Sequence, residues 1–120
     1  MRQLERLAEF ATGGEALVRD HGLLASAVER PGTALFGAEQ YPSLLDKAAA
    51  MLHSIARFHP LVDGNKRLAW VAAAALCEVN GAYVVATNDQ AYDLVMAVAA
   101  GDLDDVPAIA KALEPLVRVP

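Results

Sequence analysis

The chain has a single cysteine, Cys77, in 120 residues, so no internal disulfide can staple it. Aromatic residues make up only 6%, which leaves a core to be built from aliphatic and small side chains. Long apolar runs are missing as well: the uncharged stretch Leu68 to Cys77 is about half of the ~20 residues that span a bilayer, and no transmembrane helix is expected. The start, Met1-Arg2-Gln3-Leu4-Glu5-Arg6, carries neither the apolar stretch nor the small-residue cleavage site of a secretion signal. Positive charge is in short supply, with 10 Lys and Arg against 15 Asp and Glu. The resulting net charge of -5 argues against a protein that works through phosphate contacts along a duplex. These absences give a cytoplasmic protein as the expectation, with neither a membrane nor a nucleic acid as direct partner.

What is present is apolar: 55% of the residues are hydrophobic and the mean hydropathy is +0.28. Either the core is alanine-rich and tight, or apolar surface is kept for a partner. The length fits one domain over residues 1–120.

The pattern along the chain is helical. Leu4, Leu7, Ala8 and Phe10 share one face of a first helix that Gly13-Gly14 stops. Asp20 caps a second helix carrying Leu23, Leu24, Ala27 and Val28, which Pro31-Gly32 ends. Gly32 to Pro42 reads as a loop or short flap. Ser43 caps a third helix with Leu44, Leu45, Ala48, Leu52 and Ile55 inward and Phe58 near its end, and Pro60 breaks it at His59. The fourth, from about Arg67 to Asn80, is apolar on nearly every face and reads as a buried central helix; Asn80-Gly81 stops it. Tyr83-Val84-Val85 is at most one short strand. Thr87 and Gln90 form a capping box for a helix through Leu94, Val95 and Val98, and Asp104, Asp105 and Pro107 open a last one through Ile109, Leu113 and Leu116. The fold class is therefore all-α, a compact bundle of about six helices around a buried central one.

Chemistry concentrates in His59-Pro60-Leu61-Val62-Asp63-Gly64-Asn65-Lys66-Arg67. His59 is the side chain of this stretch that can take a proton from a hydroxyl near neutral pH. Asp63 is a carboxylate placed where phosphates would bind, the usual way of holding Mg²⁺. Gly64 permits a tight turn. Asn65 can donate to a phosphate oxygen or cap the helix, Arg67 offers a planar fork and Lys66 a point charge. Each has an ordinary reading: a histidine before proline is often structural, and Asp-Gly-Asn is a common turn. Two cations at a helix N-terminus, however, oppose the macrodipole, and a bound anion compensates them. The set as a whole describes phosphoryl or nucleotidyl transfer, in which positioning and charge stabilisation do most of the catalysis.

The nine residues resemble the motif HPFx[D/E]GN[G/K]R of the Fic/Doc superfamily, and Lys66 resembles its Doc (death-on-curing) toxin branch. The similarity extends from about Val18 to Leu116. It implies a compact helical fold with the motif between two helices. It also implies His59 as catalytic base, Asp63 as Mg²⁺ ligand, Gly64 as the anion-binding turn, and Asn65, Lys66 and Arg67 as phosphate contacts, with ATP and Mg²⁺ as cofactors. Fic proteins with glycine in the place of Lys66 transfer AMP to a protein hydroxyl. The Doc-like branch implies instead transfer of the γ-phosphate to a threonine of elongation factor Tu. Leu61 departs from the family's phenylalanine, and the stretch before Val18 is shorter than the family's.

The [S/T]xxxE[G/N] pattern of the inhibitory helix does not occur at Thr12, Ser26 or Ser43. A separate, Phd-like antitoxin is therefore expected, whose disordered tail folds into an apolar groove. A Fic-type adenylyltransferase and a non-catalytic partner-binding module are the two other readings. Outside the motif, His21 and His53 read as structural or surface, Trp70 and Cys77 as core, and Arg19-Asp20 as a cap. Arg57 reads as a helix C-terminal cation that could also touch nucleotide or target, and Asp89, Asp93, Asp102, Asp104 and Asp105 as helix-start charges on a solvated face.

Overall fold

Among the described residues five helices form, because four of them begin on a residue that can cap and all carry an apolar stripe. The computed structural model describes Arg6 and residues 17–120; the expected first helix lies outside the described residues. Helix α1 is His21–Glu29, α2 Leu44–Phe58, α3 Asn65–Val79, α4 Asn88–Ala99 and α5 Val106–Leu113. Asp20 accepts from the N–H of Leu23 to start α1, and Asp105 accepts from that of Ala108 at 2.8 Å to start α5. Ser43 with Asp46 and Thr87 with Gln90 make reciprocal capping boxes for α2 and α4.

Among the described residues the central element is α2, which packs against the four other described helices. Ala48, Ala49, Ala50, Leu52, Ile55 and Ala56 along it are all at 0% exposure. This corrects the expectation that the helix after the motif occupies the centre. Helix α3 buries one stripe, Leu68, Ala69, Ala72, Ala73 and Cys77, while Trp70, Val71 and Ala74 to Leu76 are half-buried and Val79 is 80% exposed. Alanine is the best helix former whether or not it is buried, so an alanine-rich run does not require burial on every face. The α2 alanines let neighbouring backbones approach, and Leu24, Leu52, Ile55, Leu61 and Leu68 fill the space between α1, α2, the motif loop and α3.

Two small sheets complete the fold. Strands β1 (Ala34–Leu35) and β2 (Ala38–Glu39) form a hairpin, with Ala34 opposite Glu39, where the sequence showed a loop or flap. Its turn, Phe36-Gly37, has φ of 52° and 80°, the left-handed pair that matches strand twist. Strand β3 (Tyr83–Val84) pairs antiparallel with β4 (Val117–Arg118), a strand with no sequence signal. Among the described residues no helix is long and apolar enough to cross a membrane.

Candidate active site

The site is the loop between α2 and α3. Helix α2 ends on His59, whose backbone is left-handed at φ 55° and ψ 64°. That conformation costs a residue with a Cβ roughly 1–2 kcal/mol, so the surroundings must hold it. They do so from the segment before α1. The Arg19 guanidinium donates from Nε to the His59 carbonyl at 2.7 Å and from Nη2 to the Phe58 carbonyl at 2.9 Å. The backbone N–H groups of Arg19 and Asp20 both donate to the Pro60 carbonyl, at 2.8 and 3.1 Å. Val18 and Leu61 form a β-bridge, and the N–H of Val62 donates to the Leu17 carbonyl at 2.9 Å. Residues 17–20 thus run as a strap along the motif.

Asn65 grips the loop from the other side. Its Oδ1 accepts from the Leu61 N–H at 2.8 Å and its Nδ2 donates to the Leu61 carbonyl at 2.9 Å. Asn65 is 9% exposed and the Leu61 side chain 1%, so both ends of this pairing lie out of water, where an unpaired group would be costly. The leucine in the family's phenylalanine position is a buried anchor. Asp63 turns back, its Oδ1 accepting from the Gly64 N–H at 2.9 Å, and Gly64 takes φ 84°, a value that suits a residue without Cβ. The Gly64 carbonyl then accepts the first bond of α3, from Leu68 at 2.9 Å.

Gly64 is the N-cap of α3, and among the described residues no side chain caps this helix, whereas Asp20, Ser43, Thr87 and Asp105 cap the other four described helices. The first turn of α3, at Asn65, Lys66 and Arg67, carries the positive end of the helix dipole. It faces a cleft of about 930 Å³, inside the usual range for small-molecule sites, ~300–1,000 Å³. His59, Asp63, Gly64, Asn65, Lys66 and Arg67 all line it; His59, Asp63, Lys66 and Arg67 are exposed to solvent there. The rest of the lining is largely apolar: Trp70 and Val71 of α3 and Ala91, Tyr92, Val95 and Met96 of α4, with Asn88 at the start of α4.

All six residues singled out in the motif are thus brought together, though the Asn65 amide is engaged with Leu61. Trp70 is a half-buried wall of the cleft where the sequence suggested core; Cys77 is core, its thiol pushed up by burial and then by Glu78. Arg57 does not line the cleft: its Nε donates to Asp104 Oδ1 at 3.2 Å. His53 is structural, with Nδ1 2.8 Å from an Arg30 nitrogen and Nε2 2.9 Å from Asp104 Oδ1. Because arginine can only donate, Nδ1 is the acceptor and Nε2 carries the proton to Asp104. That hydrogen bond, followed by the nearby Arg57, holds the Asp104 carboxyl below the usual aspartate range. Asp104 is therefore a tie to α2, beyond the solvated charge the sequence suggested. Sequence reasoning missed Arg19, Tyr92 and Met96. Arg19 meets the motif from 40 residues away, a separation at which no spacing rule operates.

The comparisons with known proteins agree with this geometry. The model of the Fic/DOC family matches residues 1–77, a span that includes the whole motif loop. The chain is also similar to the Toxin Doc of Mycolicibacterium smegmatis (strain ATCC 700084 / mc(2)155), with 52% identity over 97 residues, covering 79% of this chain and 75% of that protein. With the family model matching well over half of the chain, the motif loop included, and a Toxin Doc 52% identical to it, the chain belongs to the Fic/DOC family, in its Doc toxin branch.

Proposed function

We propose that this chain is the toxin of a toxin–antitoxin pair and transfers the γ-phosphate of ATP to a threonine hydroxyl of a translation factor, elongation factor Tu, and so halts translation. One observation carries the reading: His59, Asp63 and the doubly cationic start of α3 open onto a single cleft. There His59 accepts the proton of the attacking hydroxyl as its oxygen bonds to the γ-phosphorus, the bond to the bridging oxygen breaks, and ADP leaves. The first-turn N–H groups of α3, with Lys66 and Arg67, stabilise negative charge on the phosphate oxygens. The apolar wall of Trp70, Tyr92 and Met96 suits a nucleobase.

Asp63 is the residue to hold Mg²⁺. The donor set fits an ion shared with a substrate: one exposed carboxylate, that of Asp63, lines the cleft. An ion there would rely on substrate phosphate oxygens, as Mg²⁺ commonly does. When bound, it supplies charge neutralisation on the phosphates. Lys66 supports phosphate over AMP transfer, because a cation stands where glycine leaves an open anion hole in the adenylyltransferases.

A separate Phd-like antitoxin restrains the toxin. Apolar side chains at the rim of the cleft, Leu17 at 59% exposure, Val62 at 61% and Tyr92 at 63%, support a partner of that kind. The intact mass of elongation factor Tu after incubation with the protein, Mg²⁺ and ATP tests the reading. A gain of one phosphate, absent with His59→Ala, is expected; an adenylate-sized gain, or none, would refute it.

A further inference from the structure

We infer that Arg19 is a positioning residue for the base: its guanidinium fork, closed on the carbonyls of Phe58 and His59, holds His59 in the left-handed conformation that aims the imidazole into the cleft. This rests on the reading of His59 as the base. Among the described residues, two that are not glycine have positive φ, Phe36 and His59. Phe36 has a local cause, the hairpin turn. His59 has none. It occupies the helix-end position where glycine is the common choice, and the Pro60 that follows favours extended backbone at the residue before it. The constraint must therefore come from elsewhere in the chain.

Arg19 is the side chain that supplies it. Nε reaches the His59 carbonyl at 2.7 Å and Nη2 the Phe58 carbonyl at 2.9 Å, two carbonyls in sequence bridged by one planar group. Both belong to the last turn of α2, where carbonyls lack intrahelical partners and a cation is favoured. The strap's own N–H groups fix the next carbonyl, that of Pro60. Carbonyls 58, 59 and 60 are thus all held from Arg19 and its neighbour Asp20. Rotating His59 out of the left-handed region would swing its Cα–Cβ bond, and the imidazole with it, away from the wall it shares with Asp63 and Lys66. A lysine cannot replace the fork, since its ammonium is a point donor on a flexible stem.

The test compares wild type, Arg19→Ala and Arg19→Lys by steady-state kinetics, thermal melting and NMR, with His59→Ala as the chemical control. A residue at positive φ gives a strong intraresidue cross-peak between its amide and α protons, which reports the His59 backbone whether or not the protein turns over. Arg19→Ala is expected to weaken that cross-peak and lower kcat on the order of 10- to 100-fold, with KM for ATP unchanged. Millimolar guanidinium should restore part of the rate, and Arg19→Lys should not match wild type. Should Arg19→Ala not fold, the cross-peak and the kcat of folded Arg19→Lys are read in its place. Persistence of the cross-peak in the folded variant, or its loss with kcat unchanged, would overturn the inference. A wild type that transfers no phosphate would refute the kinase reading alone, while the cross-peak would still decide whether Arg19 holds His59.

Discussion

Asn65 shows at the level of one residue how the motif combines structure with chemistry. Its amide satisfies both polar groups of the Leu61 backbone, so Asn65→Ala leaves a donor and an acceptor unpaired in a buried place. The variant should lose about 2–6 kcal/mol by urea denaturation, from two groups at about 1–3 kcal/mol each. Asn65→Asp should also be destabilised, because it keeps an acceptor for the Leu61 N–H and sets a carboxylate against the Leu61 carbonyl. Lys66→Ala should keep wild-type stability, since the side chain is exposed, and raise KM for ATP several-fold in steady-state assays. The six motif residues that line the cleft were legible because they lie within one turn and its flanks. Their division of labour was not: nothing in the letters says that Asn65 points back at Leu61, or that Arg19 closes over His59 from 40 positions away.

Among the elements, the caps and stops were readable and the centre was not. Asp20, Ser43, Thr87 and Asp105 cap where their residue types predict, because capping is a contact between near neighbours. The hairpin 34–39 and strand β4 carry two residues per strand, too few for alternation to register. The exchange of α3 for α2 as the central helix came from alanines that are helix formers first and core residues only by context. The turn after α4 is tied to α2 by Asp104, which receives both His53 and Arg57, while Gly101 at φ +83° lies where a Cβ would come within 3.3 Å of the Arg57 guanidinium. Because the folded Asp104 carboxyl is held low, chiefly by the His53 hydrogen bond, its stabilising effect is present above the ordinary aspartate value, ~3.9, and is lost as pH falls through the lowered folded value. Asp104→Asn should therefore melt earlier than wild type at pH 7 and show a shallower loss of stability on acidification, as followed by thermal melts from pH 7 to pH 2.

For the whole molecule, the mostly helical character followed from the pattern, and the motif pointed to its own loop as the site. The cleft's apolar wall followed from neither, because Trp70, Tyr92 and Met96 converge only when α3 and α4 pack. ATP with Mg²⁺ should stabilise the folded chain through this cleft, by about 2.7 kcal/mol when nucleotide is 100 times its Kd, a gain that Asp63→Ala should reduce in a thermal-shift assay. The central claim is that the cleft moves the terminal phosphate of ATP. It is tested most directly by offering the protein and elongation factor Tu either γ-labelled or α-labelled ATP and following the label onto the target. γ-Label should appear on the target, α-label should not, and His59→Ala should abolish the transfer. Label from the α-position on the target, or γ-label undiminished in His59→Ala, would contradict that claim.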